Sequence, residues 1–152
     1  REARDSGIRV AVLPTHAQVQ GLAALAVHDP DADFEDDVIA MSSAAAYTRH
    51  GAVTIATSSG MTMAGPCRAG DVLGIVGGDF AVIGTDLHGV ALEVLDRLLG
   101  PTTELVTLVV GQDADERLAA ELSAHLGRER PDVDTLVYPG GQENYLLFVA
   151  AE

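Results

Sequence analysis

The sequence predicts an α/β domain with a mixed, partly parallel sheet and flanking helices. Short runs rich in Val, Ile and Leu, typical of buried strands, alternate with segments whose apolar residues recur at helical spacing. Two further apolar runs flank Gly77-Gly78, which is typical of a β-hairpin with a glycine turn. Strands separated by helices favour parallel pairing, and a hairpin adds antiparallel strands.

The first part of the chain is predicted to open with a strand and a helix. Ile8–Leu13 is nearly all apolar, as in a strand buried on both faces. Thr15 and Gln18 have the spacing of a capping box, so a helix is expected to start at His16. The inward side of this helix is expected to carry Leu22, Leu25 and Ala26.

A second helix and a second strand are predicted next. Asp33 can cap this helix and Gly51 can end it, with Arg49 near its negative end. Its buried stripe is expected to consist of Val38, Ile39, Ser42, Ala45 and Ala46. The β-branched alternation of Ala52–Thr57 predicts a strand, and Ser58–Gly70 is interpreted as a loop of small residues.

The remainder is predicted to begin with the hairpin and a helix. The hairpin strands are expected over Asp71–Val76 and Phe80–Gly84, with the glycine turn between them. Asp86 is expected to cap the helix that follows. Its inward residues are predicted to be Leu87, Val90, Ala91, Val94, Leu95 and Leu98.

A strand, a helix and two more strands are predicted to complete the chain. Leu105–Val110 has the composition of a buried strand, and Asp113 with Glu116 has the spacing of a second capping box. The helix after it is expected to turn Leu118, Leu122 and Leu126 inward. The final strands are predicted over Val133–Tyr138 and Tyr145–Ala150.

Length and the abrupt start predict the domain organisation. A chain of 152 residues forms one domain or two small subdomains that share a core. We interpret residues 1–57 as the remnant of a first α/β subdomain and residues 58–152 as a second. The first predicted strand follows what reads as a helix end at Gly7, and a parallel strand entered from a helix implies an earlier strand. We therefore expect a fragment of a larger fold, truncated at its N-terminus.

Charge and composition exclude several classes of function. The chain has 23 acidic and 9 basic residues, a net charge of −14, and all nine bases are Arg. Such a surface repels nucleic acid and anionic membranes. No apolar run is long enough to predict membrane insertion, and the start lacks the pattern of a signal peptide. The single Cys67 allows no disulfide framework, so a cytoplasmic location is expected.

Most residues capable of chemistry have a simpler structural interpretation. Gly74–Gly78 loosely resembles a phosphate-binding loop, but a strand rather than a helix is expected after it, which favours a hairpin turn. None of the five His residues has metal-ligand spacing, so no metal or cofactor is predicted in this chain. Ser58, Ser59 and Thr62 lack an identifiable general base, and Cys67 beside Arg68 lacks a partner His. No catalytic residue is therefore predicted.

Two segments remain as candidate contact sites. His16 is expected at a strand-to-helix turn, where α/β proteins often bind ligands, although a solvent-exposed helix start is the simpler interpretation. Gly140-Gly141-Gln142 follows a predicted strand, which delivers it to an end of the sheet. A structural turn competes there with a loop that contacts a ligand or partner. The candidate contact residues are Thr15, His16, Gln20, Gly140, Gly141, Gln142 and Tyr145.

Ordered motifs along the chain resemble a known family. Pro14-Thr15, Gln20–Leu25 and Asp29-Pro30 are similar to its "PT…QGLAAL…DP" segment. Further matches are Met41 with Ala44-Ala45, Gly70-Asp71, Glu104–Thr107 with Gly111, and Gly140-Gly141-Gln142 with Tyr145. The family is that of the FakA fatty-acid kinases, also described as dihydroxyacetone kinase-like or "Dak phosphatase" proteins. The resemblance runs from Gly7 onward.

The resemblance implies a role within a larger kinase. This chain looks like most of the C-terminal domain, which is similar to DegV-type fatty-acid-binding proteins with the EDD fold. ATP and magnesium would then belong to a separate N-terminal domain. The implied partner is the fatty-acid carrier protein of DegV type, which the C-terminal domain helps to dock. An exposed sheet edge or apolar face could also support a homodimer.

One departure from the DegV pattern bears on ligand binding. DegV-type binders carry an "HTGPG"-like turn whose His and Thr help to hold the ligand carboxyl group, whereas this chain has Tyr138–Gln142 with the sequence YPGGQ. The glycines remain and the His and Thr do not. The sequence therefore favours a non-catalytic docking domain. The alternatives are a domain that itself binds a fatty acid or small molecule and, less favoured, a phosphatase.

Overall fold

The computed structural model describes residues 2–115 and 117–152. It divides the chain into two compact units, Arg1–Tyr47 (unit 1) and Thr48–Glu152 (unit 2). The division falls ten residues before the subdomain boundary predicted between residues 57 and 58, and that subdomain assignment stays a prediction. None of the described helices is both long and apolar enough to cross a membrane.

Unit 1 consists of helices. They are α1 (Glu2–Asp5), α2 (Gln18–Ala26) and α3 (Phe34–Tyr47). Contacts between α2 and α3 hold the unit together, and its buried apolar side chains are small: Val19, Ala23, Ala24 and Ala45. The Asp33 side chain accepts a hydrogen bond from the Glu35 amide (3.1 Å), and its carbonyl accepts one from the Asp37 amide (2.9 Å). The predicted Asp33 cap of α3 is therefore confirmed.

The predicted strand over Ile8–Leu13 is wrong. This segment is irregular, and the side chains of Ile8 and Val12 are 58% and 82% exposed. A strand needs a neighbouring strand as its hydrogen-bonding partner, and the described residues of unit 1 include none. An apolar run alone was therefore an insufficient signal.

The predicted start and inward face of α2 are also wrong. The helix begins at Gln18 after Ala17, and no side chain caps it, so the Thr15–Gln18 capping box does not form. Its exposed side carries Leu22 and Leu25, which are 47% and 63% exposed, while Ala23 and Ala24 are buried. Ala26, which was also predicted to face inward, is exposed. Packing against α3 explains this choice, because alanines let two helices approach more closely than leucines do.

Helix α3 ends earlier than predicted, and its buried stripe is shifted. It stops at Tyr47 because the residues from Arg49 onward, including Gly51, pair as a sheet strand. Ile39 and Ala46 are exposed, while Ala45 is buried and Val38 and Ser42 are half-buried. The packed side is therefore narrower than the predicted stripe.

Unit 2 is built on a six-stranded mixed sheet. Its strands are β1 (Arg49–Ile55), β4 (Val72–Val76), β5 (Asp79–Gly84), β6 (Leu105–Val110), β7 (Asp134–Pro139) and β8 (Tyr145–Ala151). Their order is β5-β4-β1-β8-β6-β7, and of the described pairs only β6–β7 is parallel. The predicted α/β class with a mixed, partly parallel sheet is confirmed.

Two helices of unit 2, α4 (Leu87–Leu98) and α5 (Leu118–Glu129), enclose the core with the sheet. α4 lies so close to the strands that a Cβ on Gly51 or Gly74 would come within 2.8 or 2.5 Å of the Val94 side chain. The predicted Asp86 cap is confirmed, since its carboxylate accepts from the Gly89 amide at 2.8 Å. The largest fully buried side chains of the core are Leu95, Leu98, Leu108, Leu118, Leu122, Leu126 and Leu147.

Three local expectations in unit 2 had different outcomes. The strand predicted over Ala52–Thr57 begins earlier, at Arg49. The segment predicted as a loop over Ser58–Gly70 contains a small hairpin, β2 (Gly60–Thr62) with β3 (Gly65–Cys67). The predicted Asp113–Glu116 pair involves Glu116, which lies outside the described residues; before α5, the Asp115 carboxylate accepts from the Arg117 amide at 2.8 Å.

Candidate functional site

Three loops meet at one end of the sheet of unit 2. Strands β1, β6 and β7 all end there, because β1 and β6 both run antiparallel to β8 while β7 runs parallel to β6. We call this end of the sheet the loop end. The segments that leave it are residues 56–71, 111–115 and 140–144. The candidate residues Gly140, Gly141, Gln142 and Tyr145 lie at it.

Backbone hydrogen bonds fix residues 140–144, the glycine loop, to the end of β6. The Val110 carbonyl accepts from the amides of Gly140 (2.8 Å) and Gly141 (3.2 Å). The Gln142 carbonyl accepts from the Gln112 amide at 3.3 Å. The Thr54 hydroxyl donates to the Asn144 carbonyl, which ties the loop to β1 as well. The loop is therefore held in one shape although most of its residues are exposed.

The glycines in this region are required by close packing and by backbone shape. A Cβ on Gly140 would overlap the Gln142 Oε1 and a Val109 methyl, and a Cβ on Gly111 would overlap the Tyr145 carbonyl oxygen. Gly141 has a φ of +64°, a conformation that glycine adopts without strain, and a Cβ there would meet nothing within 4 Å. Gly141 is thus the point at which the loop faces open space.

The two candidate side chains in this region have structural contacts of their own. The Gln142 amide nitrogen donates to the Val109 carbonyl at 3.0 Å, which ties this side chain to the end of β6. The Tyr145 ring packs on Phe148 with centroids 4.9 Å apart and planes tilted by 34°. Both residues are half-buried, so they support the loop and still present part of their surface.

The other candidates, Thr15, His16 and Gln20, lie in unit 1. Thr15 and His16 are exposed, whereas Gln20 is buried. The Gln20 Oε1 accepts from the His16 amide at 2.8 Å, so this side chain orders the turn that leads into α2. The contact favours a structural role for Gln20, and the assignment of all seven candidate residues to a ligand or partner stays a prediction.

Sequence reasoning missed two exposed methionines at the loop end. Met61 and Met63 lie on the β2–β3 hairpin and its turn, and they are 79% and 85% exposed. Methionine is flexible and polarisable, which suits contact with irregular apolar surfaces. The sequence contains a pattern that could have predicted this hairpin, because Gly60 and Gly65 flank the short segment that carries both methionines.

A charged cluster beside the loop end was also missed. The His88 Nδ1 contacts the Glu121 carboxylate, and its Nε2 lies 3.6 Å from the Asp115 Oδ2. Desolvation lowers the pKa of His88, but the hydrogen bonds and charges of Glu121 and Asp115 outweigh it and raise this pKa overall. The sequence could not reveal the cluster, since it forms only when α4 and the start of α5 are neighbours.

Most residues of unit 2 that could take part in chemistry have structural contacts instead. The described residues include no group of three or more His, Cys, Asp or Glu side chains that could hold a metal ion. Cys67 is buried with its Sγ facing the Ser58 carbonyl, 4.0 Å away. Gly77 and Gly78 form the turn between two antiparallel strands, so the hairpin interpretation of Gly74–Gly78 is confirmed. The loop end presents a partly apolar surface next to a loop that backbone hydrogen bonds hold in place.

Comparison with known proteins places this geometry in context. Residues 1–152 match the family of FakA-like C-terminal domains of fatty acid kinase. Protein YloV of Bacillus subtilis is 30% identical over 146 residues, which cover 95% of this chain and 26% of that protein. The uncharacterized protein SAB1090 of Staphylococcus aureus is 26% identical over 141 residues, which cover 93% of this chain and 26% of that protein. The chain thus spans about a quarter of the length of these relatives.

Proposed function

The chain belongs to the family of FakA-like C-terminal domains of fatty acid kinase, and from this premise we propose that it docks the DegV-type carrier protein that presents the fatty acid to the kinase. The domain itself would be a non-catalytic, cytoplasmic part of the enzyme. ATP and magnesium would bind in a separate N-terminal domain of the parent protein.

The observation that carries the proposal is the fixed and exposed glycine loop. A loop that is already ordered loses little conformational entropy when a partner binds, so more of the contact energy contributes to affinity. Residues 140–144 combine this order, given by the bonds to Val110 and Gln112, with open space at Gly141. These properties support a docking surface.

The neighbouring methionines extend the surface in a way that suits a protein partner. Met61 and Met63 are exposed, and they lie in the segment that leaves the sheet at the same end as the glycine loop. Exposed, adaptable apolar side chains beside a fixed loop are common features of protein interfaces. We therefore assign Gly141, Met61 and Met63 to the contact with the carrier protein.

The proposal is tested by adding a side chain at Gly141. Gly141→Asn keeps the backbone shape, because Asn tolerates positive φ, but it places an amide where the partner would dock. We expect the carrier dissociation constant, measured by calorimetry, to rise by at least about tenfold. In the full-length kinase, the KM for the carrier should rise while kcat is unchanged.

The matched control is Gly77→Asn. Gly77 has a similar φ of +62°, also faces open space, and lies at the opposite end of the sheet in the β4–β5 turn. We expect it to leave carrier affinity unchanged. Equal effects of the two substitutions, or no detectable complex between the unsubstituted full-length protein and the carrier, would reject the proposal.

A further inference from the structure

We propose that His88 is a proton-operated latch: its protonated ring holds residues 111–115 in place, and its neutral ring releases them. Residues 111–115, which we call the β6–α5 loop, form one of the three segments at the loop end of the sheet. The latch therefore controls how well ordered that surface is. Only its effect on carrier docking rests on the function proposed above.

The His88 ring lies between two carboxylates. Its Nδ1 hydrogen-bonds to the Glu121 carboxylate, and its Nε2 lies 3.6 Å from the Asp115 Oδ2. His88 belongs to the first turn of α4, Glu121 to the first turn of α5, and Asp115 to the β6–α5 loop. The side chain of His88 is 24% exposed, so protons reach it from solvent. One ring thus connects α4 both to α5 and to the loop end.

Only the protonated ring can satisfy both carboxylates. An imidazolium ion carries an N–H group on each nitrogen, whereas a neutral imidazole has one N–H group and one lone pair. The contact with Glu121 is the closer of the two, so the neutral ring keeps its proton on Nδ1. The Nε2 lone pair then faces the Asp115 carboxylate and repels it. Loss of the proton therefore opens the loop side of the latch and leaves the α5 side closed.

The charges around the ring favour the closed latch. Desolvation lowers the pKa of His88, but Glu121 and Asp115 outweigh it and raise this pKa above its ordinary value of 6.5. The hydrogen bond from the Arg117 amide, followed by the contact with His88, lowers the pKa of Asp115. Asp115 is therefore charged over the range in which His88 titrates. Among the described residues, these two carboxylates are the charged groups that act on the ring, while Asp86 caps the same helix.

A short turn connects Asp115 to the glycine loop. The Ala114 amide donates to the Gly111 carbonyl, and the Gln112 amide donates to the Gln142 carbonyl, each at 3.3 Å. Both bonds are longer than usual for an N–H donor and a carbonyl acceptor, so they hold the turn weakly. The ion contact at Asp115 therefore contributes to the order of the turn and of its bond to the glycine loop.

A second histidine pair between the same helices lacks these properties. The His125 Nε2 lies 2.9 Å from the Asp96 Oδ1, and this pair joins α5 to α4 near their C-terminal ends. Its carboxylate belongs to a helix and not to the β6–α5 loop. A neutral ring can still donate from Nε2, so loss of a proton does not break this contact. His125 is therefore a matched control for His88.

An NMR titration of the chain tests the latch directly. We expect the amide resonance of Gln112 to shift with the same midpoint as the His88 ring, because one proton controls both. His88→Gln should abolish this shift of the Gln112 amide. His125→Gln should leave it in place. A Gln112 amide that does not follow the His88 ring would overturn the proposal.

Asp115→Asn separates a latch from a merely structural histidine. Asn keeps a side-chain oxygen that can accept from the Arg117 amide, but it removes the charge that faces the ring. The His88 ring should still titrate, with a lower midpoint, because one of its two carboxylates is gone. The Gln112 amide should no longer follow it. An unchanged Gln112 titration in this variant would reject the latch, even if His88→Gln failed to fold.

Calorimetry with the full-length protein tests the effect on docking. Because the Asp115 contact is partly exposed, we expect the carrier dissociation constant to rise about two- to threefold between pH about 6 and about 8.5. The rise should disappear in His88→Gln and persist in His125→Gln. Equal affinity at both pH values would reject this regulation and leave the docking function standing. A carrier that does not bind at all would reject docking, while the NMR titration still decides the latch.

Discussion

The two compact units bury apolar side chains to different extents. Unit 2 encloses Leu and Val side chains between its sheet and two helices, and many of them, such as Leu108 and Leu147, have no exposed surface. Unit 1 buries mainly alanines together with Val19, while many of its larger apolar side chains are exposed: Ile8, Val12, Leu22, Leu25, Val27, Ile39 and Tyr47. Because hydrophobic stabilisation scales with the apolar area removed from water, it is concentrated in unit 2.

This difference has a functional consequence. A packed core holds the ends of its strands rigidly, so the glycine loop in unit 2 can be ordered while most of it is exposed. Unit 1 instead offers an apolar surface on a small helical scaffold. Substitutions matched between the units can therefore separate residues that maintain the fold from residues that form surface.

The largest contrast is expected for truncation of an apolar side chain. Leu147→Ala should lower the free energy of unfolding by about 2–5 kcal/mol, because it removes buried methyl groups from the central strand β8 and leaves a cavity. Ile39→Ala in α3 should change it by less than about 0.5 kcal/mol, because Ile39 is exposed. Urea unfolding of the whole chain measures both, and similar losses would contradict the proposed distribution of stability.

A smaller contrast is expected for addition of a methyl group to glycine. Gly111→Ala should destabilise the chain by about 1–3 kcal/mol, because its Cβ would overlap the Tyr145 carbonyl and displace the glycine loop. Gly21→Ala in α2 should stabilise it by up to about 1 kcal/mol, since nothing lies within 4 Å and alanine favours helix. Thermal unfolding measures the sign of both stability changes. A stabilising effect of Gly111→Ala would show that the Tyr145 carbonyl does not pack tightly against residue 111.

The sequence predicted unit 2 better than unit 1 for a physical reason. The structure gives β6 the predicted bounds, and Asp86 caps α4 as predicted, because local signals there agree with tertiary packing. Ile8–Leu13 resembles a strand, but the described residues of unit 1 include no strand to pair with it. Helix α2 buries Ala23 and Ala24 rather than Leu22 and Leu25. Both outcomes depend on what an element packs against, which periodicity does not specify.

The candidate site was predictable in position but not in geometry. The glycines after Pro139 indicated a turn at the end of a strand, and the structure has one there. Its attachment to Val110 depends on β6 and β7 being parallel neighbours in one register. The same limit applies to His88, whose partner Glu121 is 33 residues away in sequence.

Removal of a helix cap should act globally in one unit and locally in the other. Asp86→Ala removes the bond to the Gly89 amide, and Asp33→Ala removes the bond to the Glu35 amide, each worth about 1 kcal/mol. We expect the first to lower the urea midpoint of the whole chain. The second should mainly speed hydrogen exchange at the start of α3, and faster exchange across unit 2 would contradict this view.

The smallest effect is expected from the charge of His88, which joins α4 to α5 in unit 2. Because Glu121 and Asp115 raise its pKa in the folded chain, protonated His88 stabilises the fold fully below the unfolded value of about 6.5. This contribution is lost as the pH rises through the folded pKa. In the unsubstituted chain, this loss lowers the unfolding free energy as the pH rises above about 6.5, and His88→Gln should remove that decrease. His16→Gln in unit 1 is the control, because it leaves the His88 contribution in place. An NMR titration that finds the His88 pKa below its ordinary value would contradict the link between this cluster and the stability of unit 2.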